Sequence, residues 1–242
     1  MRRADVVVYD RLVDLRLLEV TPTGCEKICV GKKGGHYSFP QDKINELLVN
    51  RARQGKQVVR LKGGDPFFLG RGGEEALYAV RHGIPCEVVP GVSSAWAAPA
   101  AAGIPLTQRG ISSSLTILSG HQASGSDRAI AWAPTVAASD TLVILMPLQN
   151  LRHIVSQLVL HGKPLDTPAA VIQSGTLENQ TEALATLRNI VAESLRVGIE
   201  PPALLVVGEV VNLASRLAGL KRFFADREPG PGQVWNSKSE NF

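Results

Sequence analysis

Short runs of β-branched residues alternate with helical stretches along most of the chain, and this alternation constrains the fold more than any other feature. In the first hundred residues four runs predict strands, at 6–9, 27–30, 58–61 and 87–89. Apolar spacing predicts helices at 41–54 and 74–80, and small residues predict another at 93–102. Strands that alternate with helices usually form a mostly parallel sheet covered on both faces. The sequence therefore predicts an α/β fold.

A second block of the same kind follows the GIPLT stretch at 103–107. Strands are predicted at 115–119, 142–146, 169–173 and 203–207, and helices at 151–160 and 184–195. We therefore predict an N-terminal domain at 1–107 and a C-terminal domain at 108–227. Residues 228–242 are rich in Gly, Pro, Ser and Asn, which predicts a disordered tail.

Charge and cysteine content exclude several classes of function. The 26 basic and 22 acidic residues give a formal charge of +4, the basic residues are scattered, and aromatic residues make up 5%. This favours a solvated surface over a nucleic-acid interface and is compatible with a small anionic ligand. No apolar run reaches the length that spans a bilayer, and the N-terminus does not resemble a signal peptide, so we expect neither membrane nor secretion. Three cysteines cannot all pair, which favours the reducing cytoplasm.

Metal binding is not indicated either. Cys25 and Cys29 lie four residues apart, but no second Cys/His pair accompanies them. We therefore expect buried thiols rather than a zinc site, and no metal cofactor.

Glycine-rich turns and charged residues follow several predicted strands. The turn at Gly63, Gly64 and Asp65 comes after strand 58–61, and its glycines allow a ligand to approach the backbone. Because ligands of open α/β sheets bind at the carboxyl ends of strands, binding is favoured over a purely structural turn. At Ser93 and Ser94, helix capping and ligand contact remain equally open. Asp10 and Lys32 also follow strands, but either one alone is more often a surface charge.

Taken together, these segments resemble the uroporphyrinogen-III C-methyltransferases of the tetrapyrrole methylase family. The matching strings are long: ADVVVYDRLV at 4–13, VVRLKGGDPFFLGRGGEE at 58–75, GIPCEVVPGVSS at 83–94 and AGIPLTQR at 102–109. Weaker similarity continues to about residue 220. The resemblance implies two α/β domains with mostly parallel or mixed sheets and an active-site cleft between them. It also implies methyl transfer from S-adenosylmethionine to carbon atoms 2 and 7 of uroporphyrinogen III, giving precorrin-2 for sirohaem and cobalamin synthesis, and it suggests a homodimer.

The resemblance also assigns roles to residues. The proposed base of the family corresponds to Asp10 and its proposed acid to Lys32, which we interpret rather as electrostatic support. Contacts with S-adenosylmethionine are implied at Gly63, Gly64, Asp65, Phe68, Ser93, Ser94, Met146 and Gly175. Because the substrate is a polycarboxylate, we hypothesise that basic side chains anchor it. These candidates are Arg11, Lys33, Arg60 and Arg71.

The chain departs from the family pattern at its start and at a few single positions. The family begins with a strand and a G-x-G-x-G-D-P loop ahead of ADVV, which are missing here, so we expect unpaired sheet edges. An upstream start codon is favoured over a truncated product. Gln108 stands where the family has His, Pro147 where it has Gly, and Phe68 where Ile is common. A sister precorrin methyltransferase and a non-catalytic fragment that only associates with another chain remain alternatives.

Overall fold

The first compact unit, Met1–Ser93, is a small parallel sheet with helices. The computed structural model describes residues 1–31, 39–120 and 130–217. Within this part of unit 1, strands β1 (Val6–Tyr9), β2 (Glu26–Cys29) and β3 (Val58–Leu61) form a sheet of order β2-β1-β3 in which both pairings are parallel. A 3₁₀ helix (Leu15–Val20) and helices α1 (Gln41–Arg53) and α2 (Gly72–Arg81) complete the unit.

β1 is the buried centre of this sheet. Val6 and Val8 pack with Val30 and Ile44 on one face, while Val7 packs on the other. All three valines of β1 are fully buried, as expected for a parallel strand covered on both faces.

β3 has one open edge among the described residues. It pairs with β1 alone, and its four residues are only half-buried. The strand predicted at 87–89 was wrong, because this segment forms no ladder and leaves Val88 and Val89 exposed. Strand propensity alone does not make a strand, because a strand also needs a partner with which its backbone forms a ladder. Within the described residues, β2 and β3 each pair with β1 alone.

The second unit, which begins at Ser94, contains a five-stranded mixed sheet within the described part of the chain. Its strands are β4 (Leu115–Ser119), β5 (Thr141–Leu145), β6 (Pro168–Gln173), β7 (Thr181–Thr186) and β8 (Ala203–Val207), in the order β4-β5-β8-β6-β7. Only the β4–β5 pairing is parallel; the other three are antiparallel. The helices are α3 (Ser94–Ala101), α4 (Trp132–Ala138), α5 (Leu151–Leu160), α6 (Ile190–Val197) and α7 (Leu213–Arg216). Two 3₁₀ helices, Leu148–Asn150 and Glu209–Asn212, precede α5 and α7.

The division between the units falls before residue 94, whereas the sequence placed it after 107. Residues 94–107 group with the second unit, where Ala98 packs against Gly175 and Ile104 is buried. The predicted tail at 228–242 lies outside the described residues.

Two local predictions required correction. The helix predicted at 184–195 is the edge strand β7 followed by α6, because the TEALAT run extends along β6. Cys29 is exposed rather than buried, since alternate side chains of β2 point away from the core. No described helix is long and apolar enough to cross a membrane.

Candidate active site

Two neighbouring parallel strands bring Asp10 next to Arg60. Asp10 directly follows β1, and Arg60 lies in β3 opposite Val8. Because the carboxyl ends of parallel strands lie at the same end of a sheet, the two side chains meet there. Arg60 Nη2 donates a hydrogen bond to Asp10 Oδ1 at 2.5 Å. The structure thus places one predicted base and one predicted anchor in direct contact.

Glu75 of α2 closes this group from the other side. It accepts hydrogen bonds from Arg60 Nε at 3.1 Å, from Lys62 Nζ at 3.1 Å to each carboxylate oxygen, and from Gln41 Nε2 at 3.1 Å. Asp10, Arg60, Lys62 and Glu75 together form what we call the charge cluster. The side chains of Glu75, Lys62 and Arg60 are 6%, 7% and 13% exposed, so this is a buried network with two positive and two negative groups.

Asp10 is the member of the charge cluster that remains accessible. Its side chain is 32% exposed, and its Oδ2 accepts no hydrogen bond from the described residues. The nearest cation to Oδ2 is Lys62 Nζ at 3.8 Å, beyond hydrogen-bonding distance. Asp10 therefore has one oxygen fixed by the protein and one available to a ligand.

The predicted anchors differ in how many hydrogen bonds and ion pairs they already form within the protein. Arg60 has every guanidinium nitrogen engaged inside the protein, with Nη1 donating to the carbonyls of Val8 and Leu61. Arg71 is exposed and forms an ion pair with Glu74, whose pKa the hydrogen bonds from Arg71 hold below its ordinary value. Arg11 is exposed and has no ion pair among the described residues. Lys32 and Lys33 lie outside the described residues.

The two glycine-rich turns of unit 1 contact each other. Asp65 accepts a hydrogen bond from the backbone N–H of Phe67 through Oδ1 and from that of Gly91 through Oδ2, both at 2.9 Å. A Cβ on Gly91 would clash with the carbonyl of Gly64, so the backbones are in close contact. Asp65 is therefore the link that fixes the second turn against the first.

Gly63 is different, because neither its φ nor any contact with the described residues requires glycine. It is exposed, its φ is not positive, and an added Cβ would meet only ordinary van der Waals contacts, the nearest being 3.5 Å from Leu12. Such a position suits a ligand that approaches the main chain, which is the role predicted for it.

The other predicted cofactor positions are placed as follows. In unit 1, Phe68 is half-buried and Ser93 is buried. In unit 2, Ser94 is exposed at the first residue of α3, and Met146 is exposed directly after β5. Gly175 follows β6, and a Cβ there would clash with Ala98 of α3, so packing alone explains this glycine.

Backbone strain concentrates at the predicted positions. Among the described residues, positive φ at a non-glycine residue occurs at Leu69, Arg71, Met146, Ser174 and Thr176. Each is a predicted site residue or the immediate neighbour of one. Such conformations cost about 1–3 kcal/mol each and persist at sites where a specific backbone geometry is required. The strain therefore supports a functional interpretation of both units, each considered separately.

Several residues of the candidate site were not predicted from the sequence. Glu75 and Lys62 were not singled out, although both lie inside the RLKGGDPFFLGRGGEE string, and the strained Ser174 and Thr176 flank a predicted contact. The similarity of the string indicated that region but could not separate buried from exposed charges. Among the described residues no group of three His, Cys, Asp or Glu side chains is arranged to hold a metal ion.

Comparison with known proteins identifies similar sequences. Residues 1–191 match the model of the tetrapyrrole (corrin/porphyrin) methylases. A uroporphyrinogen-III C-methyltransferase from Methanocaldococcus jannaschii is 46% identical over 214 residues, 88% of this chain and 88% of that protein. Siroheme synthases from Pseudomonas putida and Pseudomonas fluorescens are 46% and 48% identical over 221 residues, which is 90% of this chain. The chain spans only 47% of the length of those two synthases.

Solved structures agree in fold. A uroporphyrin-III C-methyltransferase from Thermus thermophilus, in complex with S-adenosylhomocysteine, superposes with a TM-score of 0.73 at 40% identity, covering 88% of this chain and 89% of that one. A cobalt precorrin-4 methyltransferase gives a TM-score of 0.75 at 24% identity, over 87% of this chain and 86% of that one, and shows the fold alone. The predicted α/β architecture with parallel and mixed sheets is confirmed by these likenesses.

Proposed function

The chain belongs to the tetrapyrrole methylase family, and we propose that it transfers methyl groups from S-adenosylmethionine to carbon atoms 2 and 7 of uroporphyrinogen III, giving precorrin-2. The named activity of the Methanocaldococcus relative and the ligand of the Thermus structure support this substrate pair. The observation that carries the proposal is the state of Asp10. Arg60 fixes its Oδ1, whereas its Oδ2 accepts no hydrogen bond from the described residues and has only the longer ion pair with Lys62 at 3.8 Å.

The chemistry requires alignment and one proton acceptor. S-adenosylmethionine, when bound, supplies an electrophilic methyl group, so that a carbon–carbon bond forms to the electron-rich pyrrole carbon while the carbon–sulfur bond breaks and the thioether leaves. The pyrrole then carries a positive charge, which the loss of its N–H proton removes. Asp10 Oδ2 is proposed to accept that proton. The rest of the rate gain comes from holding the reacting atoms in line, which can lower a barrier by several kcal/mol.

The cofactor is proposed to lie along the exposed backbone at Gly63. The exposure of this glycine, which has no Cβ, and the fixed pair of turns at Gly64, Asp65 and Gly91 fit a ligand that contacts main-chain atoms. Phe68, Met146 and Gly175 stay proposed contacts, supported by the resemblance and by strained backbone at or next to each of them. Ser93 and Ser94 stay proposed contacts on the resemblance alone. The donor is organic, and no metal is part of this mechanism.

For the polycarboxylate substrate we propose Arg11 and Arg71 as anchors. Both are exposed cations, and Arg71 can exchange its partner Glu74 at little cost, since surface ion pairs contribute about 0–1 kcal/mol. Lys32 and Lys33 remain proposals from the resemblance. Arg60 fits better as a positioning residue, because binding a substrate carboxylate would break its bond to Asp10.

The proposal extends to compartment and assembly. The free thiols of Cys25, Cys29 and Cys86 are compatible with a reducing cytoplasm. A homodimer is proposed on the resemblance alone and is tested by light scattering on the purified chain.

The decisive experiment supplies the purified chain with uroporphyrinogen III, kept reduced under anaerobic conditions, and S-adenosylmethionine, and follows the product by mass spectrometry. We expect addition of two methyl groups by the wild type. Asp10→Asn should lose most of the rate and keep cofactor binding, whereas Asp42→Asn, an exposed carboxylate on α1, should behave as the wild type. Absence of transfer by a folded wild type that binds the cofactor refutes this activity. Transfer only to a later precorrin would support the sister activity, and a chain that binds neither ligand would support the non-catalytic alternative.

A further inference from the structure

We propose that Glu75 is a positioning residue that keeps Lys62 away from Asp10 and so leaves Asp10 Oδ2 open for the proton. This inference rests on the proposed role of Asp10 as base. Glu75 touches none of the reacting atoms. It acts through Lys62, the second cation of the charge cluster.

The distances in the charge cluster show how Lys62 is divided between two carboxylates. Its ammonium lies 3.1 Å from both oxygens of Glu75, but 3.8 Å from Asp10 Oδ2. The first two are hydrogen bonds and the third is not. Lys62 needs to move by less than about 1 Å to reach hydrogen-bonding distance of Asp10.

The charge balance explains why Glu75 decides this division. With both carboxylates present, the two positive charges of Arg60 and Lys62 are matched. Lys62 is 7% exposed and cannot readily turn to water, and a buried charge that loses its partner is strongly disfavoured. Without the Glu75 charge, the nearest remaining carboxylate for Lys62 is Asp10. Among the charged groups of the described chain, those facing Asp10 are Arg60 and Lys62 from β3 and its end, with Glu75 of α2 behind them.

Such a shift would remove the function of Asp10 without removing the residue. Oδ1 is already occupied by Arg60 Nη2. An ammonium bonded to Oδ2 would occupy the remaining oxygen, and the pyrrole N–H would lose its acceptor. Glu75 is thus expected to affect the rate of methyl transfer separately from its contribution to the stability of the fold.

The test compares Glu75→Gln with Glu46→Gln, an exposed ion-pairing glutamate on α1 of the same unit. Glu75→Gln keeps the shape and the oxygen for Gln41 or Arg60 while removing the charge. We expect its kcat for methyl transfer to fall by about 100-fold or more, because a general base typically contributes about 10²–10⁴-fold, with KM for S-adenosylmethionine within about twofold of the wild type. Glu46→Gln should show wild-type kinetics.

A second substitution separates this role from a structural one. In Lys62→Met/Glu75→Gln no ammonium remains to occupy Oδ2, so kcat should recover to well above that of Glu75→Gln alone. A structural role predicts the opposite, because the second change removes further contacts. If Glu75→Gln fails to fold, the kcat of Lys62→Met is compared with that of Asp10→Asn instead. The proposal predicts the higher kcat for Lys62→Met, because Asp10 Oδ2 stays accessible in that variant.

Three outcomes would overturn the inference. These are wild-type kcat in Glu75→Gln, a double variant slower than the single one, and Lys62→Met as slow as Asp10→Asn. Failure of the proposed function is recognised separately, by a wild type that transfers no methyl group. In that case the crystal structure of Glu75→Gln still tests the geometry: Lys62 Nζ is expected within hydrogen-bonding distance of Asp10 Oδ2, and an unchanged 3.8 Å separation refutes the proposal.

Discussion

Gly63→Ala tests whether a ligand contacts the glycine-rich turn after β3. The substitution adds one methyl group at an exposed position with ordinary φ, where the nearest protein atom would lie 3.5 Å from the new Cβ. The folded protein therefore has room for it. Because alanine also restricts the unfolded chain, the free energy of unfolding should stay within about 1 kcal/mol of the wild type.

Ligand binding should respond very differently. If S-adenosylmethionine approaches the backbone at Gly63, the methyl group occupies space that the ligand needs. Overfilling a packed contact costs about 1–3 kcal/mol, which raises Kd by roughly 5–150-fold. Isothermal titration calorimetry measures Kd, and urea denaturation measures the free energy of unfolding.

Gly73→Ala is the matched control. Gly73 lies in the first turn of α2, and a Cβ there meets no atom within 4 Å. Alanine should stabilise the helix by up to about 1 kcal/mol and leave Kd unchanged. Wild-type affinity in a folded Gly63→Ala variant would refute the placement of the cofactor at this turn, because the protein itself gives no other reason for an effect.

Three further substitutions test contacts that stabilise the two units. Asp65→Ala removes both hydrogen bonds that hold Gly91 and its own turn, and should lower the free energy of unfolding by about 1–3 kcal/mol and weaken cofactor binding, measured by urea denaturation and calorimetry. Gly175→Ala forces a Cβ against Ala98 and should destabilise the chain by about 1–3 kcal/mol in the same denaturation assay. The backbone N–H groups of the loop before β4 lower the pKa of Asp140 from 3.8 to about 2. The ionised carboxylate therefore stabilises the fold above pH 3.8, and this contribution is lost as the pH falls through about 2, so the stability advantage of wild type over Asp140→Asn should shrink across that interval.

Each of these has a clear contrary result. Asp166, exposed and paired only at the surface with Arg188, provides the control for Asp65, since its replacement by alanine should cost less than about 1 kcal/mol. Equal losses in the two variants would show that Asp65 has no special role. An undisturbed Gly175→Ala would mean that α3 moves easily away from β6. A constant difference between wild type and Asp140→Asn at all pH values would show that the pKa of Asp140 is not lowered by folding.

The strands in the interior could be predicted from sequence because their residue types leave few alternatives. Val6–Tyr9 and Ala203–Val207 are short apolar runs, both are found at the predicted positions, and both are buried. Residues 87–89 contain two adjacent valines but form no strand, because residue type does not determine whether the backbone finds a ladder partner. The edge strand β7 carries too few β-branched residues to be recognised, and only its ladder with β6 defines it.

The candidate site, too, could be predicted only in part from the sequence. The similarity of the RLKGGDPFFLGRGGEE string singled out the right turn, and Asp10, Arg60 and Asp65 are all at the sheet edge where strand order predicts a site. Sequence could not tell that Arg60 faces inward to a carboxylate rather than outward to a substrate. Nor could it separate Glu75, 6% exposed, from its neighbour Glu74, 55% exposed, because that difference depends on which face of α2 turns towards Gln41 of α1 and Arg60 of β3.

By itself, then, the sequence determined the family, the α/β class and the position of the glycine-rich turns, because these depend on local residue types and on long matching strings. The tertiary structure alone decided the charge cluster, the contact between the two turns and the oxygen of Asp10 that accepts no hydrogen bond from the described residues. Such features arise from distances between residues far apart in the chain, such as Asp10 and Arg60, and those distances are set by strand pairing and helix packing. Local residue preferences carry no record of them.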